Sequence, residues 1–120
     1  MLSDKRVLIV EDEWMLAEHL GAIVERAGGI VIGPVPSVEE AIALLPTGSD
    51  TLPGAATLNV KLHEDVSYPV ADRLAELGIP FVFISANQRH SMPDRFRNRP
   101  LLAKPFTDAQ VRVAIAALFD

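Results

Sequence analysis

Acidic side chains directly follow an uninterrupted apolar run near the start of the chain. The run covers residues 7–10, and Glu11, Asp12 and Glu13 come immediately after it. Such a run is typical of a strand buried on both faces of a parallel sheet. Because ligands bind at the carboxyl ends of such strands, these carboxylates are candidate Mg²⁺ ligands. The alternative is that they only favour the start of the next helix, through its dipole.

Three further polar residues stand at the ends of later apolar runs. Asn59 ends the third run, Ser85 ends the fourth, and Lys104 follows the fifth. Parallel strands carry their carboxyl ends at one edge of a sheet, so we expect these side chains to converge near the acid pair. Taken alone, Ser85 would be an ordinary turn residue and Lys104 a charge at the end of an edge strand.

The elements that would position these residues alternate between strand and helix patterns. Predicted strands cover residues 6–10, 30–32, 55–60, 81–84 and 100–103. Predicted helices begin near residues 14, 37, 67, 93 and 107, the second and fifth with a capping-box pattern. Residues 33–36 are expected to break regular structure, and residues 61–65 to form a charged loop. This alternation predicts an α/β fold with a five-stranded parallel sheet between helices, in one domain over residues 1–120.

Composition excludes several classes of protein. The chain has 120 residues, 49% of them hydrophobic, which suits one domain with a buried core. The net charge of −5 gives no overall attraction to nucleic acid, and the absence of cysteine excludes disulfides and thiolate metal sites. The first apolar run is too short for a signal peptide, and no segment approaches the ~18 consecutive apolar residues of a membrane span. We therefore expect a cytoplasmic protein.

Four features stand in order at successive strand ends: an acid pair, a short polar residue, a hydroxyl and a lysine–proline. This pattern resembles the receiver domain of two-component response regulators. The resemblance covers nearly the whole chain and implies a doubly wound, flavodoxin-like sheet in the order 2-1-3-4-5 with five helices. It implies that Glu11 and Asp12 match the metal-binding acids, and that Lys61 offers its backbone carbonyl to Mg²⁺. Ser85 and Lys104 match the residues that hold the phosphoryl oxygens.

The chain departs from that family at the phospho-acceptor position, where Asn59 stands in place of the aspartate. An amide is a poor nucleophile and cannot form the acyl phosphate. The site also loses one carboxylate, so we expect only weak Mg²⁺ binding. Leu101, at the switch position where many family members carry Tyr or Phe, is a second departure. A natural asparagine and an introduced replacement of aspartate look the same in the sequence.

The resemblance therefore predicts a pseudo-receiver: a signal-transduction domain of a two-component or phosphorelay pathway that is not an enzyme, is phosphorylation-deficient and acts through protein–protein contacts. Its partner would be a histidine kinase or another signalling protein, with no DNA-binding domain and no membrane association. The alternative is a phosphoryl-transfer intermediate whose Asn59→Asp form accepts phosphate from a histidine kinase. A flavodoxin-type nucleotide binder is disfavoured, because the loop after the first strand is acidic and lacks glycine.

A local basic cluster is the remaining candidate for partner contact. It consists of Arg89, His90, Arg95, Arg97 and Arg99. Most such clusters are solvated surface, but receivers meet their partners on this face. The sequence leaves both interpretations open.

Overall fold

Strands and helices alternate along the chain in the computed structural model, which describes residues 2–86 and 92–120. The strands are β1 (Arg6–Val10), β2 (Ile30–Val35), β3 (Ala55–Asn59), β4 (Lys61–Leu62), β5 (Asp65–Val66), β6 (Phe81–Ser85) and β7 (Leu101–Ala103). The α-helices are α1 (Trp14–Arg26), α2 (Val38–Ala43), α3 (Tyr68–Glu76) and α4 (Asp108–Ala117).

The central sheet has five parallel strands in the order β2-β1-β3-β6-β7. With β6 and β7 counted as the fourth and fifth sheet strands, this is the predicted order. The structure differs at the segment predicted as a charged loop, residues 61–65, where the two-residue strand β4 lies and β5 begins. They form an antiparallel hairpin in which Lys61 pairs with Val66.

The prediction of five helices is wrong for the described residues, which contain four α-helices. The segment predicted as the fourth, residues 93–97, forms a 3-10 helix at Asp94–Phe96. The backbone N–H of Phe96 donates to the carbonyl of Pro93, a bond that spans three residues instead of four. So short a segment closes the tighter turn more easily than a full α-turn. Residues 87–91, part of the loop expected between this segment and the fourth predicted strand, lie outside the described residues.

The second strand is longer than predicted. A break was expected at residues 33–36, but β2 continues into this segment and ends at Val35. Leu8 pairs with Ile32 and Val10 with Val35, so β2 carries one extra residue in a bulge. Gly33 supplies the positive φ of 89° that this bulge requires. The extension matters for the site, because the backbone N–H of Glu11 donates to the Val35 carbonyl at 3.0 Å.

Apolar side chains cover both faces of the sheet, as the run in β1 predicted. Leu8 and Val10 pack on one face with a cluster beneath α2, α3 and the 3-10 helix. Val7 and Ile9 pack on the other face, beneath α1 and α4. Because β1 is buried on both faces, the polar residues that follow it are held at a fixed depth at the sheet's carboxyl edge.

Candidate functional site

Glu11 and Asn59 face each other at the carboxyl edge of the sheet. The neighbouring strands β1 and β3 pair Val10 with Leu58, so the next residue of each strand comes to the same level. Asn59 Nδ2 donates to Glu11 Oε2 at 2.8 Å and to Asp12 Oδ1 at 3.3 Å. Ionised carboxylates only accept hydrogen bonds, so the amide turns its NH₂ group toward them. One amide group therefore bridges both acids.

Glu11 is almost completely buried, with 2% of its surface exposed. Its Oε2 also accepts from the backbone N–H of Glu13 at 3.1 Å, whereas Oε1 is buried and has no hydrogen-bond partner among the described residues. Burial raises the pKa of Glu11, although the Glu13 N–H, the Asn59 amide and the charge of Lys104 each oppose that rise. Glu11 is therefore an incompletely satisfied buried carboxyl group.

Asp12 is held by a backbone group that the sequence did not predict. Burial acts to raise the pKa of Asp12, but the His63 N–H and the contact with Glu11 together bring it below its ordinary value. The His63 N–H donates to Asp12 Oδ2 at 2.8 Å. His63 lies in the turn of the β4–β5 hairpin with a left-handed φ of 56°. A backbone donor leaves no residue-type signature, and so His63 could not be predicted from the sequence.

Ser85 and Lys104 lie next to each other at the ends of β6 and β7. The Lys104 backbone N–H donates to the Ser85 carbonyl at 2.9 Å, and Ser85 is buried. Asn59 pairs with Ile84, which places Ser85 one residue beyond the level of Asn59. The positive charge of Lys104 opposes the rise in the pKa of Glu11. Within the described residues, however, Lys104 forms no ion pair under 4.0 Å with either acid.

Lys61 and Leu101 occupy different surroundings. Lys61, two residues beyond Asn59, begins the β4–β5 hairpin, and its side chain is exposed. Leu101 begins β7, pairs with Phe83 and packs partly buried against the apolar cluster of that face. Glu13, the third acid of the run, has an exposed side chain and reaches the site only through its backbone N–H.

These residues do not fit Mg²⁺ in the arrangement described. The metal prefers oxygen ligands, but the NH₂ group of Asn59 points at both carboxylates. The described ranges contain no group of three or more His, Cys, Asp or Glu side chains that could hold a metal ion. Rotation of the amide would be needed before its oxygen could join Glu11 and Asp12 as a ligand.

Most of the predicted basic cluster is engaged within the chain. Arg95 donates to both carboxylate oxygens of Asp72 on α3, at 2.9 and 3.0 Å. Arg97 pairs with Asp94 at 3.0 Å. The Arg99 guanidinium lies over the Phe81 ring, 4.8 Å from its centre. Arg89 and His90 lie outside the described residues. Arg95 and Arg99 thus join the 3-10 segment and the residues after it to α3 and β6, whereas Arg97 pairs within the segment.

The strand order reverses between β1 and β3, and a doubly wound sheet binds its ligands at that point. The carboxyl edge of this sheet carries two acids, a buried polar residue, a hydroxyl and a lysine. Together with the strand order, this is the architecture of response-regulator receiver domains. In the described residues, no helix is both long and apolar enough to span a bilayer.

Comparison with known proteins gives the same class. SdrG from Sphingomonas melonis Fr1 is 40% identical over the full length of both chains, with a TM-score of 0.82. A response regulator receiver protein from Sinorhizobium medicae WSM419 is 25% identical, with a TM-score of 0.82, over 99% of this chain and 97% of that one. The chain belongs to the receiver-domain family of response regulators.

A curated relative is much longer than this chain. The regulator PhyR of Methylorubrum extorquens is 35% identical over 122 aligned positions, which cover 94% of this chain but 43% of PhyR. The chain thus spans less than half of that relative. No family model matches the chain.

Proposed function

We propose that this chain is a pseudo-receiver, which signals in a two-component or phosphorelay pathway through protein–protein contacts and without phosphorylation of its own. The observation that carries the proposal is the Asn59 amide, which donates to both acids at the position that the resemblance assigns to the phospho-acceptor. A neutral amide has no charged oxygen with which to attack a phosphoryl group. Its nitrogen is also committed to Glu11 and Asp12.

The same amide would keep the acid pair stable without a cation. The buried carboxylate of Glu11 and the partly buried carboxylate of Asp12 repel each other and need donors. Asn59 and the backbone N–H groups of Glu13 and His63 supply those donors from within the chain. The site would therefore hold one conformation whether or not a kinase or a metal is present.

Exposed apolar residues beside the site support a role in protein contact. Trp14 and Met15 begin α1, just after the acid run, with 70% and 72% of their surfaces exposed. Large apolar residues exposed together often mark an interface, and tryptophan is enriched among residues that dominate binding energy. We propose a histidine kinase or another signalling protein of the pathway as the partner. PhyR is named as a regulator, which agrees with this assignment.

The second candidate function is phosphoryl transfer by the Asn59→Asp form. Ser85 and Lys104 remain side by side at the ends of β6 and β7, where they would hold phosphoryl oxygens. Glu11 Oε1 also lacks a partner among the described residues and so could take a ligand. In this alternative, a histidine kinase would phosphorylate the aspartate form, and the present chain would be its inactive state.

Acetyl phosphate treatment with Mg²⁺, followed by intact-mass measurement, tests both candidates. We expect no mass increase for the present chain and one labile phosphoryl group for Asn59→Asp. A double variant, Asn59→Asp with Asp12→Asn, is the matched control and should stay unmodified if the acid pair is needed. Phosphorylation of the present chain would contradict the pseudo-receiver proposal. An inert but folded Asn59→Asp variant would remove the second candidate.

A further inference from the structure

A cleft of about 410 Å³ lies between the C-terminal end of α1 and the first half of α4, and none of its lining residues belongs to the candidate site described above. Its lining consists of Ile23, Arg26, Ala27, Asp108 and Arg112. Ile23 and Ala27 are buried and form an apolar floor, whereas the two arginines are exposed. The cleft thus combines an apolar surface with the guanidinium groups of two arginines and the carboxylate of Asp108.

The two arginines of this cleft have no hydrogen-bond or ion-pair partner within the described part of the chain. Neither Arg26 nor Arg112 makes a hydrogen bond or ion pair there, in contrast to Arg73, Arg95 and Arg97 elsewhere. Asp108, four residues before Arg112, is bonded instead to His19 Nε2 at 2.7 Å.

The helix dipole explains only one of these two positions. Arg26 ends α1, where a positive charge is favoured by the carbonyl end of the helix. Arg112 lies in the first half of α4, on its fifth residue, where that dipole gives no such benefit. Because the Asp108 carboxylate is bonded to His19, two arginines without a partner share one cleft in a protein of net charge −5, an arrangement that a shared anionic ligand would explain.

We infer that the cleft between α1 and α4 binds a small organic dianion, with its charged groups on Arg26 and Arg112 and its apolar part on Ile23 and Ala27. Guanidinium groups match carboxylate and phosphate oxygens in pairs, through two parallel hydrogen bonds. The volume also lies in the range of small-molecule sites, about 300–1,000 Å³. Phosphate monoesters and dicarboxylates share this chemistry. The inference goes beyond the proposed function, because it does not involve Asn59.

Ligand binding can be followed by amide proton–nitrogen NMR of the full chain, at constant ionic strength. The probes are phenyl phosphate, inorganic phosphate, succinate and, as a cation of similar shape, phenyltrimethylammonium. We expect saturable shifts at Ile23, Ala27 and Arg112 with phenyl phosphate, weaker ones with inorganic phosphate, and none with the cation. The succinate arm distinguishes a dicarboxylate from a phosphate site.

Matched variants separate the cleft from general charge effects. Arg26→Gln/Arg112→Gln should weaken phenyl phosphate binding by about tenfold or more, because two charge-assisted contacts are lost. Arg6→Gln/Arg97→Gln makes the same change in net charge outside the cleft and should leave the affinity unchanged. Circular dichroism confirms that both variants are folded.

Three outcomes would overturn the inference. One is the absence of saturable shifts at about 10 mM phenyl phosphate, a concentration that detects even millimolar affinity. Another is an equal loss of binding in the two double variants, which would indicate nonspecific attraction. The third is a set of shifts centred on Ser85 and Lys104 rather than on the cleft. None of these results depends on whether Asn59 accepts a phosphoryl group.

Discussion

The amide nitrogen of Asn59 lies 2.8 Å from Oε2 of Glu11, with both residues buried at the carboxyl edge of the sheet. The contact joins two residues 48 positions apart and connects β3 to the loop after β1. An amide has much the same shape as a carboxylate, but the Asn59 amide is here a donor and not an acceptor. Asparagine at position 59 therefore donates hydrogen bonds, where an ionised aspartate could only accept them.

Removal of the amide should lower the stability of the fold. In Asn59→Ala, Glu11 and Asp12 lose a shared donor, and a buried carboxylate without its donor costs about 1–3 kcal/mol. Urea unfolding of the native chain and the variant measures the difference. Asn98→Ala, at an exposed asparagine, is the control and should change the unfolding free energy little. Equal stability of Asn59→Ala and the native chain would show that the amide is not needed by the acids.

Stability should depend on pH in opposite ways through the two acids. Burial raises the pKa of Glu11 above its ordinary value of 4.5, so its stabilising contribution is present below that pH and is lost as the pH rises through the raised pKa. The pKa of Asp12 is below its ordinary value of 3.8, so its contribution is present above that pH and is lost as the pH falls through the lowered pKa.

Glu11→Gln removes the titrating group of Glu11, so comparison with the native chain measures the contribution of Glu11 to stability at each pH. The stability of this variant relative to the native chain should increase as the pH rises from 4.5 toward neutrality. Urea unfolding at a series of pH values provides the measurement. Glu18→Gln, at an exposed acid on α1, serves as the control. A difference between Glu11→Gln and the native chain that does not change with pH would contradict the raised pKa.

Magnesium should bind the native chain weakly and the Asn59→Asp form more tightly. In the native chain, the ion must first displace the NH₂ group of Asn59 from both acids. The aspartate adds a third carboxylate and removes that competition, so we expect an affinity higher by about tenfold or more. Trp14 fluorescence reports the titration, because Trp14 lies two residues beyond Asp12. Equal affinities in the two forms would mean that the amide does not compete with the metal.

Trp14 should contribute more to partner binding than to folding. Its side chain is 70% exposed, so Trp14→Ala should leave the unfolding free energy nearly unchanged. If the start of α1 contacts the partner, the same variant should weaken binding by about tenfold or more, as at other tryptophan-centred interfaces. Calorimetric titration with the pathway's histidine kinase tests this, with Val113→Ala, at a similarly exposed residue of α4, as control. A greater effect of Val113→Ala would move the contact to α4.

Sequence patterns predicted the fold well wherever burial alone decides the conformation. β1 has its predicted bounds, residues 6–10, because an unbroken apolar run fits few places other than a strand covered on both faces. β2 was predicted too short, because Gly33 and Pro34 usually end a strand, whereas here they form a bulge on an edge strand. A short helix was predicted at residues 93–97, and the structure has a 3-10 helix there, at Asp94–Phe96.

The candidate site could be predicted in position but not in its hydrogen bonds. The ends of apolar runs placed Glu11, Asn59 and Ser85 at one sheet edge, since strand ends can be read from the pattern of apolar residues. The orientation of the Asn59 amide depends on its hydrogen bonds to Glu11 and Asp12, which are far from it in the chain. The His63 N–H is a backbone group, and its position depends on a turn that residue types did not indicate.

Both outer strands of the described sheet are poor templates for another strand. Pro34 brings no N–H to β2, and the bulge at Gly33 interrupts the row of backbone groups that β2 would present. β7 has three residues, Leu101–Ala103, and prolines flank it at positions 100 and 105. Growth of cross-β fibrils from the folded state needs a long, regular edge. The native chain should therefore resist fibril formation even when concentrated, and copies that associate should meet through their helices.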